Sequence, residues 1–234
     1  MDFEQKQELL GVLYDGWKDC SRCKLASVHG RTRQHVVFGE GSVDATVFIV
    51  GQSATHLDDS VGSPFQGEQG KVIDMFLSSF RATRNDVFLS YVVADRPTEA
   101  DNPRKGRKPD AEEIAACATR LYAQIEIVDP FVVIALGDVA LKALVPSSLK
   151  RTISSLAEDK KMPRIPIVTP GRQMMIERAG FATWSPEYLL REWSMAENKP
   201  VHQSFKVFEK AFRVADMYNQ IYRGVVPPDR SKQR

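Results

Sequence analysis

The 234-residue chain predicts an α/β fold with a central, mostly parallel sheet. Short β-rich runs, VFIV at 47–50, LSYVV at 89–93 and FVVIAL at 131–136, alternate with longer segments whose apolar residues recur at helical spacing. The 131–136 run is apolar without a break, as a parallel strand covered on both faces requires. The glycine-bearing loop after the 47–50 run lies between a strand and a helix, which is where open α/β sheets place ligands.

The elements follow in order. Leu9, Leu10, Leu13 and Trp17 predict a helix over 3–19, after which Cys20 and Cys23 form a C-x-x-C. Strands are predicted at 36–38 and 47–50, and Val72, Ile73, Phe76 and Leu77 predict a helix after the glycine loop. The strand at 89–93 leads into a long polar loop over 97–109, a helix over 111–128, the strand at 131–136, and a helix that Gly137 opens and Leu144 ends. Beyond Pro146, basic and proline-broken text leads to a short strand near 165–168, a methionine pair (Met174 and Met175) read at a helix start, a TWSPEYLL turn and a last helix over 201–222. No repeat or linker divides the chain, so 1–224 is read as one domain and 225–234 as a frayed tail.

Composition excludes several classes. With 43% hydrophobic and 26% charged residues the chain buries a full core without disulfides. No apolar stretch is long enough to cross a bilayer and the N-terminus lacks a basic region followed by an apolar core, so an intracellular location, cytoplasmic or nucleoid-associated, is expected. A net charge of only +2 means that attraction to nucleic acid must come from local patches.

Six blocks carry a resemblance: VVFGEG at 36–41, VFIVGQSATHLDDSVGSPFQGEQGK at 47–71, VFLSYVVADRP at 87–97, EIAACATRL at 113–121, PFVVIALGDVALKAL at 130–144 and TWSPEYLLR at 183–191. In this order they resemble the uracil-DNA glycosylase superfamily, and within it the iron–sulfur branch called family 4. Its members read VGEAPG, ED, GxPFxGxxGxxL, VYITNVVKCRP, EIxxCxxFL, PKVIVALGxxAxxxLL and THPAYLLR. The resemblance implies a three-layer αβα uracil-DNA glycosylase-like fold, DNA as partner, and N-glycosidic bond hydrolysis as the ancestral chemistry.

It also implies a 4Fe-4S cluster. Cys20, Cys23 and Cys117 match three of the family's ligands, while Asp95 stands where the family has the remaining cysteine. A carboxylate also ligates iron, although thiolates are the usual holders of such clusters, so Asp95 is the candidate fourth ligand. The competing reading is three reduced cysteines without metal.

In the family a glycosylase flips the nucleotide out of the stack, grips its Watson–Crick edge and stabilises a sugar cation and a departing base anion. The candidate base pocket comprises Gly51, Gln52, Ser53, Phe65, Tyr91 and Ser185. Phe65 matches the stacking aromatic. Its competing reading is a core residue behind a turn. The other three positions depart from the family. Gln52 replaces the acid and cannot take a proton from water. Tyr91 replaces the asparagine that reads the uracil amide edge. Ser185 replaces the histidine that stabilises charge on the base oxygen. Substitute catalytic candidates are Gln52, Ser185, His56 and Asp59, with Asp58 beside it, although the family carries similar acids in a loop-ordering role.

Arg104, Lys105, Arg107 and Lys108 form a basic loop that reads equally as a phosphate-binding surface or a solvated insertion. Arg172 is a further candidate DNA-backbone contact, in a stretch with Met174 and Met175 that in the resemblance reads as a minor-groove wedge. The expected function is therefore DNA binding by a diverged glycosylase, an accessory factor in replication, repair or modified-DNA metabolism that acts beside a protein partner. An active glycosylase on uracil or a modified pyrimidine is the alternative, and a protein-interaction module keeping only the fold is a third.

Overall fold

Strand β2 (Val47–Ser53) shows why the sheet lies at the centre: its first four side chains are completely buried, because alternate residues enter two different cores. Phe48 and Val50 pack with Leu121, Ile125 and Leu141 on one face, and Val47 and Ile49 pack with Ile73, Phe76 and Phe208 on the other. The computed structural model of the protein describes residues 1–28, 36–99, 102, 104–145, 151–157, 165–169, 176–193 and 199–222. Candidates Arg172, Met174 and Met175, the basic residues Lys150, Lys160, Lys161 and Arg164, and the tail 225–234 lie outside the described residues.

The remaining strands are β1 (Glu40–Gly41), β3 (Phe88–Val93), β4 (Val132–Leu136), β5 (Ile165–Thr169) and β6 (Ile176–Thr183). They form one sheet in the order β1-β3-β2-β4-β6-β5. The four inner strands run parallel, with registers such as Gly51 opposite Tyr91 and Val50 opposite Ala135, and the two edges are antiparallel. Helices α1 (Phe3–Asp15), α2 (Lys24–Val28), α5 (Ala111–Val128), α6 (Asp138–Leu144) and α7 (Ile153–Ala157) cover one face. Helices α4 (Gly67–Ser79), α8 (Pro186–Glu192) and α9 (Lys199–Tyr222) cover the other. This is the expected three-layer αβα arrangement around a mostly parallel sheet. No described helix is long and apolar enough to cross a membrane.

Local chemistry explains where the elements begin and end. Asp110 caps α5 by accepting from the Glu113 backbone N–H at 3.0 Å, while the Glu113 carboxylate accepts from Asp110 N at 2.9 Å, a reciprocal box that satisfies two orphan donors. Helix α1 stops at Asp15, short of the expected 19, because Gly16 takes the cap and Trp17 turns inward to a buried site. The strand expected at 36–38 is irregular and holds the sheet through Val37 N donating to Ala94 O at 2.9 Å; pairing with β3 begins only at Glu40. Gly39 and Gly41 have φ of 129° and 123°, which breaks the extended run. After Met174 and Met175 the chain enters β6, not a helix. Strand β6 was not expected. Its end, residues 180–183, is buried and pairs with β4.

Candidate functional site

The parallel strands β2, β3 and β4 carry Gly51, Tyr91 and Leu136 to the wall of one cavity of about 460 Å³. Gln52, Ser53, His56, Phe65 and Ser185 complete the wall, so the sequence-predicted base pocket assembles in one place. The rim adds Arg96, Arg107 and Lys108.

The loop after β2 contains a short helix, α3 (His56–Val61), where irregular chain was expected. Thr55 and Asp58 form its capping box, and Gly62 ends it at φ 80°. Asp58 is fully buried and its charge is satisfied: Oδ2 accepts from Thr55 N at 2.7 Å and from the Tyr91 hydroxyl at 3.0 Å, and Oδ1 accepts from Gln66 N at 2.7 Å. Asp59 is buried as well and does not line the cavity. Neither acid is placed to activate a water there. His56 sits exposed at the cavity edge.

Tyr91 determines the shape of the floor. Its ring lies 4.6 Å, centroid to centroid, from Phe65 at a 43° tilt, and its hydroxyl accepts from Phe65 N at 2.9 Å while donating to Asp58. Both rings are 1% exposed. Phe65 therefore has a tyrosine against it. Burial, reinforced by the negative Asp58, pushes the Tyr91 phenol well above its ordinary range, so it stays a donor. Gly51 lets the pair close: a Cβ there would come within 2.7 Å of the Tyr91 ring and 2.8 Å of Phe65 Cζ.

Phe65 adopts φ 53°, unusual for a bulky residue, and its carbonyl is held by Arg84. Arg84 Nη2 donates to Phe65 O at 2.6 Å, Nη1 to Pro64 O at 3.0 Å and Glu40 Oε1 at 3.1 Å, and Nε to Asp74 Oδ1 at 2.7 Å. Sequence reading missed Arg84, because it lies outside every recognised block and reaches the loop only through the fold.

Ser185 caps α8, its Oγ accepting from Tyr188 N at 3.3 Å, and faces the cavity as a neutral group. The basic loop is built into the protein. Thr98 bridges Gly106, Arg107 pairs with the buried Glu113 carboxylate and donates from Nε to Thr98 O at 2.8 Å, and Lys105 lies 3.8 Å from Glu99. Arg107 is thus neutralised, whereas Lys108 and Arg96 bring charge to the cavity rim. Arg96 donates to the Arg104 carbonyl at 2.7 Å. Arg104 and Lys105 are exposed and lie off the cavity wall.

Cys20 and Cys23 follow α1 half-buried, Cys117 is buried on α5, and Asp95 is buried just after β3. They share one neighbourhood. Burial raises the Cys23 and Cys117 thiols, and Asp95 and Cys20 add to both shifts. Among the described residues no group of three or more His, Cys, Asp or Glu is arranged to hold a metal ion.

Comparison with known proteins agrees with this architecture. The family model described as the uracil DNA glycosylase superfamily matches residues 38–213. The type-4 uracil-DNA glycosylase of Thermotoga maritima is 33% identical over 189 residues, spanning 81% of this chain and 87% of that protein. The type-4 enzyme of Pyrobaculum aerophilum is 35% identical over 144 residues, 62% of this chain and 65% of its own length. That of Saccharolobus solfataricus is 32% identical over 129 residues, 55% of each. The matched region runs from the entry to β1 through most of α9 and contains every wall of the cavity, and on this ground the chain belongs to the uracil-DNA glycosylase superfamily.

Proposed function

We propose that the protein binds DNA as a superfamily member whose centre for ordinary uracil excision has been dismantled. One observation carries this reading: the Tyr91 ring lies against Phe65 at 4.6 Å and is tied by its hydroxyl to Asp58, in the place where the family's amide reader would address the base. Gln52 and Ser185 leave the wall without the acid and the cation of the family pattern. Loss of one positioned donor costs about a hundredfold to a thousandfold in rate, and cooperating groups fail together. Arg96 and Lys108 supply the local positive charge that phosphates require.

The test is an abasic-site assay on oligonucleotides carrying uracil, with the unmodified protein and the triple variant Gln52→Glu, Tyr91→Asn, Ser185→His. Negligible release by the parent and gain by the variant support the reading; robust uracil release by the parent overturns it. A second reading has an observation of its own. A cavity of about 460 Å³ survives with Gln52, Ser53, His56 and Ser185 on its wall, which suits hydrolysis of a modified pyrimidine. Oligonucleotides carrying such bases belong in the same assay, and release from one of them would favour an active enzyme.

We also propose a 4Fe-4S cluster held by Cys20, Cys23 and Cys117 with Asp95. Three cysteines, as thiolates, and one carboxylate form a donor set that would suit iron–sulfur chemistry. Its role here is structural, tying the segment after α1 to α5. Protein purified without oxygen should show thiolate-to-iron absorption and bound iron and sulfide; colourless, iron-free protein would reject it.

A further inference from the structure

Arg120 on α5 is fully buried, the largest side chain among the described residues that is so. The oxygens it meets are neutral. Nη1 donates to Phe38 O at 2.8 Å, Ser90 Oγ at 3.0 Å and Gln124 Oε1 at 2.8 Å, and Nη2 donates to Tyr91 O at 2.5 Å and Val92 O at 3.4 Å. Its Nε is buried without a hydrogen bond. A guanidinium taken wholly out of water and given only neutral partners is strongly unfavourable, so a buried anion should lie beside it. Burial lowers its hold on the proton, and the groups that oppose this are Cys117, Asp95 and Cys20, in that order. Cys117 precedes Arg120 by three residues on α5, on the same buried helix face, and Asp95 follows by three residues the Val92 carbonyl that Arg120 binds. Two neighbouring positions also depart together from the family text: Asp95 stands for a cysteine and Arg120 for the aromatic residue of EIxxCxxFL.

We propose that Arg120 is a positioning residue for the iron–sulfur site: its guanidinium is the buried counter-charge to the thiolate-held cluster, and its bonds to the Tyr91 and Val92 carbonyls tie that site to the cavity floor. The proposal rests on the cluster reading. Thiols become thiolates when iron binds, so loading supplies the negative charge that the guanidinium needs. A cation beside the cluster favours its more negative, reduced state, which places the midpoint potential higher than it would be without Arg120.

The experiment compares the parent, Arg120→Met and Arg120→Lys, all purified without oxygen. It reads iron and sulfide per chain, visible absorption and midpoint potential by spectroelectrochemistry. Arg120→Met should hold less iron and show a more negative potential, while Arg120→Lys stays near the parent in both. Unchanged iron and potential in Arg120→Met would overturn the proposal with the cluster itself intact. If Arg120→Met does not fold, Arg120→Lys decides: retained iron and potential support the counter-charge, and a loss of iron refutes it. An iron-free parent would instead reject the cluster reading. In that case restored stability in Arg120→Met with Asp95→Leu, relative to Arg120→Met, would identify a purely structural charge pair.

Discussion

Replacing Tyr91 with phenylalanine keeps the ring and removes one oxygen that makes two buried bonds, to Phe65 N at 2.9 Å and Asp58 Oδ2 at 3.0 Å. Tyr91 is 1% exposed, so water does not replace them. An orphaned buried N–H costs about 1–3 kcal/mol, and a lost bond to a charged acceptor about 1.5–3 kcal/mol. Asp58 keeps its two backbone donors, which limits the second loss, so Tyr91→Phe should destabilise by roughly 3 kcal/mol. Urea unfolding would read this as a lower midpoint with the slope unchanged. A double-mutant cycle with Asp58→Asn should give a coupling on the order of 1–2 kcal/mol. The same hydroxyl predicts a pH effect. The folded phenol is raised above its unfolded value, so its contribution is whole below about pH 10 and fades as pH climbs toward the folded value, because the unfolded chain releases that proton more readily. The parent should lose stability above about pH 10 more steeply than Tyr91→Phe. A stability change under about 0.5 kcal/mol, or a strictly additive cycle, would refute the wiring of Tyr91 to Asp58.

Gly70→Ala should destabilise by about 1–3 kcal/mol or more, since its Cβ would sit 2.0 Å from the Phe65 carbonyl oxygen and 2.7 Å from Arg84 Nη2; a neutral result in urea unfolding would contradict the packing. Arg84→Met should release the Pro64 and Phe65 carbonyls, and amide hydrogen exchange across 63–66 should quicken while the β4 amides stay protected. Uniform acceleration of both regions would instead indicate global destabilisation. Duplex binding, followed by fluorescence anisotropy, should weaken as salt rises, and Arg96→Gln with Lys108→Gln should flatten the log–log slope by about 0.9 for each phosphate contact removed. Binding that ignores salt would dissociate these residues from DNA.

Alternating apolar blocks determined the α/β layers, and the extent of α5 (Ala111–Val128) was legible from its apolar periodicity; the structure adds the reciprocal Asp110 cap at its start and the left-handed Asp129 at its end. The pocket was legible too, since parallel strands deliver their C-terminal residues to one edge, and Gly51, Tyr91 and Ser185 lie at such ends. That Gln52, Tyr91 and Ser185 depart from the family's motif text could likewise be read from the chain alone. What Tyr91 does with its hydroxyl could not. Its partners, Asp58 and Phe65, are 33 and 26 residues away, and only packing brings them within hydrogen-bonding distance. The candidate acids illustrate the same limit: Asp58 and Asp59 read as available carboxylates, yet tertiary structure buries both, leaving Asp58 to order the loop. Arg84 and Arg120 carry no local signature, because their significance lies in backbone carbonyls contributed by other elements. Periodicity records which face of an element is buried, whereas the partners of a buried polar group depend on which distant atoms the fold places beside it.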